Sequence, residues 1–127
     1  MRYLVLFCLA IAALTPLLAD AAEPEQIDIE SISGRRYKLA LHRSMETITK
    51  CYDDALKKNA SLAGRLVVRV DIDAGGKTAG VQARDDTLGN AGVTKCIVEA
   101  LHEKTWPSAD APRYFETVFK FAATPTK

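Results

Sequence analysis

The groups in this chain that can do covalent, metal or acid–base chemistry are three cysteines, two histidines and a few adjacent acids. Cys51 stands in "ITKCYDDALKKN", beside a tyrosine and two aspartates, and Cys96 in "VTKCIVEAL". A nucleophilic cysteine needs a base to activate it and a third group to orient that base. His102 lies six residues beyond Cys96, on another side of the same predicted helix, and reads as a solvated residue, as does His42. A structural zinc site wants four ligands at short spacings, whereas the chain has no CxxC and only these two histidines. "DIDAGGK" opens like a calcium loop, with Asp71, Asp73 and Gly76 at its sixth position, but Gly75 and Gln82 stand at the fifth and twelfth. Oxygen ligands are needed there, above all a bidentate acid at the end, so the segment reads as a hairpin turn. "HEKT" at 102–105 lacks the second histidine of a zinc-protease helix. Asp53-Asp54 and Asp85-Asp86 are adjacent rather than facing pairs, as solvated acids are. The expectation is a protein without a catalytic constellation, and so no enzyme, no cofactor, no metal and no small-molecule substrate.

The remaining role for the cysteines depends on where the chain resides. Arg2 is followed by an uncharged run over residues 3–18, broken by Pro16, and then by the polar "LADAAEPEQ". That is the pattern of a signal peptide. The run is shorter than the roughly 20 residues that span a bilayer, and Ala19-Asp20-Ala21 supplies a small-x-small site for cleavage before Ala22. The expectation is an exported protein, periplasmic or secreted, with no membrane span after cleavage; retention of the segment as an anchor is the alternative. Cys8 falls inside the apolar run and reads as one more apolar residue. Excision leaves about 106 residues, the size of one domain. It removes one base and one acid, so the formal charge stays at +1. Bases and acids are interspersed, and nothing points to nucleic acid or a strongly charged surface partner. Two cysteines remain, in an oxidising compartment.

Leu41, Met45, Ile48, Tyr52, Ala55 and Leu56 recur at steps of three and four, predicting a helix that Ser44 could cap and that ends in "KKNASLAG". In "GRLVVRVDI", Leu66, Val68, Val70 and Ile72 alternate with Arg69 and Asp71, the pattern of a strand with one apolar face. "DAGGK" turns the chain and "TAGVQAR" returns as a weaker strand through Val81 and Ala83. Asn90 caps a second predicted helix with Val93, Cys96, Ile97, Ala100 and Leu101 on its core face, closed by Trp106-Pro107. "RYFETVFKF" is a last strand: Phe115, Thr117, Phe119 and Phe121 point one way, and Tyr114, Glu116, Val118 and Lys120 the other. Upstream, "IDIESISGRRYKLAL" is either a small hairpin turning at Ser33-Gly34 or an extension of the first helix through 39–43. The predicted fold is α+β in the order α-β-β-α-β, a three-stranded antiparallel sheet packed by two helices. Residues 22–40 form an N-terminal extension, 41–122 the domain and 123–127 a tail. Two helices on one side of such a sheet bring Cys51 and Cys96 together. Closing a loop of roughly 45 residues is worth about 4 kcal/mol on the chain-entropy account. A disulfide is therefore the expectation, ahead of a redox thiol, which needs a low-pKa cysteine that a core-facing pair does not suggest.

These residues, in this order, resemble the AgmX/PglI C-terminal domain family, a relative of the TonB C-terminal domain of bacterial envelope proteins. The resemblance covers residues 41–122. It rests on Cys51-Tyr52 followed by Asp53, on Leu62-Ala63-Gly64 leading into the alternating strand to Ile72, and on Gly76 in the hairpin. Its most specific part is Asp86-Thr87-Leu88-Gly89-Asn90, which stands for the family's "STLGN", followed by Cys96-Ile97 and Trp106-Pro107. What the resemblance implies is a TonB-like, non-enzymatic envelope module that engages a protein partner by adding a strand at an exposed sheet edge. The last strand is the natural edge, presenting Tyr114, Glu116, Val118 and Lys120. A structural part of an envelope or motility assembly is the alternative, with a thiol redox protein behind it.

Overall fold

The computed structural model describes residues 24–122. Along the chain run β1 (Glu25–Gln26), α1 (Arg35–His42), α2 (Met45–Leu56), β2 (Gly64–Ile72), β3 (Thr78–Asp86), α3 (Ala91–His102) and β4 (Arg113–Phe121). The expected signal peptide with its cleavage site and Cys8, and the tail at 123–127, lie outside the described residues. No helix among the described residues is long and apolar enough to cross a membrane.

Alternation along β2 does what a period of two requires: Leu66, Val68, Val70 and Ile72 are buried, while Arg65, Val67, Arg69 and Asp71 look away from the helices. β2 is central, with β3 and β4 antiparallel on its two sides. From β4, Phe115 and Phe119 enter the same core, and Phe121 packs at its margin, where Tyr52 stacks on it with 4.6 Å between ring centroids. α2 contributes Ile48, Cys51 and Tyr52, and α3 contributes Val93, Ile97 and Leu101. The Tyr52 hydroxyl donates to the Leu62 carbonyl, so the one polar atom on that ring is satisfied where it is buried.

Three expectations need correction. The sheet has four strands in the order β1-β4-β2-β3 and is mixed, because β1 lies parallel to the start of β4, with Glu25 opposite Arg113 and Gln26 opposite Tyr114. Ile27, buried in the core, anchors this pairing and donates its N–H to the Tyr114 carbonyl at 2.7 Å. Second, residues 35–42 form neither a hairpin nor an extension of the next helix. They make a separate helix, α1, which buries Tyr37 and Leu41. Arg43 and Ser44, both with helical dihedrals, form the joint to α2, and the Ser44 N–H bonds back to the Leu41 carbonyl at 2.9 Å. Ser44 faces the core with no exposure, so its side chain does not cap α2. Residues 25–40 are thus part of the fold rather than an extension of it. Third, the core stripe of α3 runs through Val93, Ile97 and Leu101, which leaves Cys96 half-buried at its edge. From there it bonds to the buried Cys51, with Sγ–Sγ 2.03 Å and Cα–Cα 5.8 Å.

The two turns that set strand register are built from side chains. In the β2–β3 turn the Asp73 carboxylate accepts from Lys77 N–H at 2.9 Å, and Gly76 takes φ +89°, a conformation that favours glycine. A Cβ on Gly76 would lie 2.2 Å from the Trp106 carbonyl oxygen, so the segment after α3 rests directly on this turn. After β3, the Asp86 carboxylate accepts from Leu88 N–H (2.9 Å), Gly89 N–H (3.2 Å) and the Thr94 hydroxyl (2.7 Å), tying the loop to the first turn of α3. Asn90, with extended dihedrals, accepts from Val93 N–H at 3.0 Å as the N-cap. Asn90→Ala should lower stability by about 1 kcal/mol in urea denaturation; a change near zero would mean that the cap bond contributes nothing.

Candidate functional site

β4 is paired with β2 over its whole length, nine residue pairs from Gly64↔Phe121 to Ile72↔Arg113, with no register shift. Backbone groups alternate sides along a strand, and the parity is set here by Tyr114, whose carbonyl points away from β2 to accept from Ile27. Glu116, Val118 and Lys120 share that parity. Their N–H and C=O groups point away from β2, and β1 pairing ends at Tyr114. Among the described residues no strand lies against them.

The edge is left open because the chain is turned away from it. The Asp28 carboxylate accepts from Glu30 N–H at 2.9 Å, and its carbonyl accepts from Ser31 N–H at 3.1 Å, bending the segment off β4 immediately after Ile27. Gly34 then packs so closely behind this bend that a Cβ would sit 1.9 Å from the Asp28 carbonyl oxygen. Between the departing segment and the free edge lies a groove of about 470 Å³, lined by Ile27, Asp28 and Ile29 on one side and by Glu116, Val118 and Lys120 on the other.

The four edge residues expected from the sequence are therefore not equivalent. Tyr114 is engaged: its backbone is taken by β1, its hydroxyl donates to Gln26 Oε1 at 3.3 Å, and the Arg69 guanidinium lies 3.8 Å over its ring. Hydrogen bonds to Asp71 at 2.9 and 3.1 Å hold the Arg69 guanidinium in place and raise its pKa above the ordinary value. Glu116 faces Arg84 at 3.8 Å across the open sheet face. Val118, opposite Val67, is 48% exposed, and Lys120 is exposed. β4 is an interior strand only at Arg113 and Tyr114, where β1 lies against it, and its second half is an edge.

β3 carries an extra residue at two places, Ala79 and Arg84, where the register with β2 shifts. It ends in Arg84-Asp85-Asp86, with Asp85 held by Arg65 at 2.7 Å. Bulges and charges of this kind blunt an edge against pairing. The second half of β4 has no bulge and presents an exposed valine between its two charges.

The chain matches no family model, no curated protein and no solved structure.

The residues weighed for catalysis or metals are dispersed. His42 and His102 end α1 and α3, both exposed, and Cys51 and Cys96 are bonded to each other. Asp71 is paired with Arg69, while Asp73 holds the hairpin turn. Among the described residues no three of His, Cys, Asp and Glu come together as a metal site. The residues that sequence reasoning missed are Ile27 and Asp28, which decide where the edge begins. Their signal was faint: one apolar residue followed by an Asx turn.

Proposed function

We propose that this domain is a non-enzymatic protein-binding module of an exported, envelope setting. It captures an extended segment of a partner protein as an added strand along residues 116–120. The observation that carries the reading is the run of outward backbone groups at Glu116, Val118 and Lys120, unbulged and beside an open groove of about 470 Å³. Backbone pairing gives such complexes their affinity, and alternate side chains give selectivity. Val118 offers the apolar contact, and Glu116 and Lys120 favour complementary charges on the incoming strand. The resemblance to the TonB-related family supports the same mode, and a disulfide is at home in an oxidising envelope compartment.

The Val118 N–H points into the groove rather than to β2, so Val118→Pro deletes one docking donor and leaves the β2–β4 ladder intact. The variant, shown to be folded by circular dichroism, should lose the partners that the parent protein retrieves from envelope extract after cross-linking. A folded variant that retrieves the same partners rules out this edge, and the hairpin around Gly75 and Gly76 becomes the next surface to test.

A further inference from the structure

The overall charge of +1 conceals an asymmetry. Residues 31–45 hold four bases, Arg35, Arg36, Lys38 and Arg43, and no acid, so the rest of the chain carries a net −3. α1 turns Tyr37 and Leu41 inward and leaves all four bases exposed. Arg65, Arg69, Arg84 and Arg113 each have an acidic partner within 4.0 Å. Among the described residues Arg35, Arg36 and Arg43 have none; of the four bases only Lys38 is paired, to Glu30. Two arginines in the first turn of α1, where no acid stands, also oppose the helix dipole. The helix would be more stable without them, which directs attention to what lies outside it.

The same face carries apolar side chains that the fold does not bury. Of the three large hydrophobic residues exposed among the described residues, two are here: Ile32, in the turn before α1, at 94%, and Leu39 at 54%. Leu39 forms a ridge between two shallow grooves. One, of about 360 Å³, is lined by Arg35, Lys38 and His42; the other, of about 320 Å³, by Arg36, Arg43 and Pro107.

We infer that this face docks the domain peripherally on an anionic phospholipid surface. Ile32 and Leu39 enter the headgroup layer, and Arg35, Arg36 and Arg43 lie against lipid phosphates. A lipid interface supplies both halves of the complement at once, anionic oxygens in a plane and an apolar layer just beneath them. A convex leucine ridge flanked by guanidinium groups suits a yielding surface; an acidic protein would need a matching apolar furrow.

The test is co-sedimentation of the purified protein with phosphatidylcholine vesicles carrying about a third phosphatidylglycerol, against phosphatidylcholine alone. Binding should require the anionic lipid and weaken as salt is raised. Arg35→Gln with Arg36→Gln should lower the partition coefficient about thirtyfold, and Arg35→Lys with Arg36→Lys should retain most of the binding. Ile32→Ser with Leu39→Ser should weaken binding at every salt concentration. All these residues are exposed, and unchanged thermal melting checks that each variant is folded. Equal binding to neutral vesicles overturns the inference, as does binding that the glutamine variants leave intact, which would place it in the apolar run at 3–18. Binding to polyglutamate with none to vesicles overturns it in favour of an acidic protein partner.

Discussion

Replacing Cys51 and Cys96 together with alanine is expected to remove about 4 kcal/mol of stability, because the bond closes a loop with a sequence separation of 45. Against a total stability of about 5–15 kcal/mol for a domain of this size, that is enough to leave a substantial unfolded population under mild stress. The effect acts mainly on the unfolded chain, which the bond keeps from exploring extended states, so reduction of the parent protein should bring its urea midpoint to that of the double variant. Peptide mapping of the non-reduced protein should find one linked pair containing Cys51 and Cys96. Labelling of both cysteines by a thiol reagent in the native fold would overturn the assignment and revive the redox reading. A loss below about 1 kcal/mol would show instead that the reduced, denatured chain is already compact.

The second large effect is expected at Phe115. Its side chain has no exposure, lies opposite Val70 across the sheet and meets Trp106 edge to face, with 5.1 Å between ring centroids. Phe115→Ala should cost about 3–5 kcal/mol, the transfer term plus a cavity that two packed layers cannot close. Trp106 also donates its indole N–H to Thr78 Oγ1 at 2.9 Å, and it is the only tryptophan in the chain. Native fluorescence should therefore change along with the urea midpoint. Phe121→Ala, at a half-buried position, should cost distinctly less. Equal losses at the two positions would contradict this account of the core.

Most elements that position the candidate edge were readable because burial imposes a period. β2 was bounded at Gly64 and Ile72 by its alternation, and the two faces of β4 separate as its sequence alternates, with Phe115 and Phe119 inside and Glu116, Val118 and Lys120 outside. The N-terminal part escaped for the opposite reason. β1 is two exposed residues, held through the backbone and through Ile27 beside it, and hydrogen bonds of that kind leave no mark on side-chain pattern. α1 buries only Tyr37 and Leu41 and exposes Leu39 between them, which blurs the helical period. Serine suits a cap by type, but Ser44 is buried at the joint between α1 and α2, and its side chain makes no cap bond there. The open half of β4 could be located only once the course of residues 25–30 was known.

The disulfide has a mechanical meaning as well. It fastens α2 to α3 and encloses the whole β2–β3 hairpin, while β1, α1 and β4 lie outside the closed loop. Tension applied to the two ends of the chain is carried across the sulfurs. The backbone of the hairpin and of the loop that leads into α3 carries none of it along its length and is loaded only sideways, through the β2–β4 ladder, and the chain can be drawn out by about 150 Å less than its residue count allows. Under load, the elements left to peel are α1 and the outer strand pairs, so the edge at residues 116–120 sits on the part of the domain that feels a pull first.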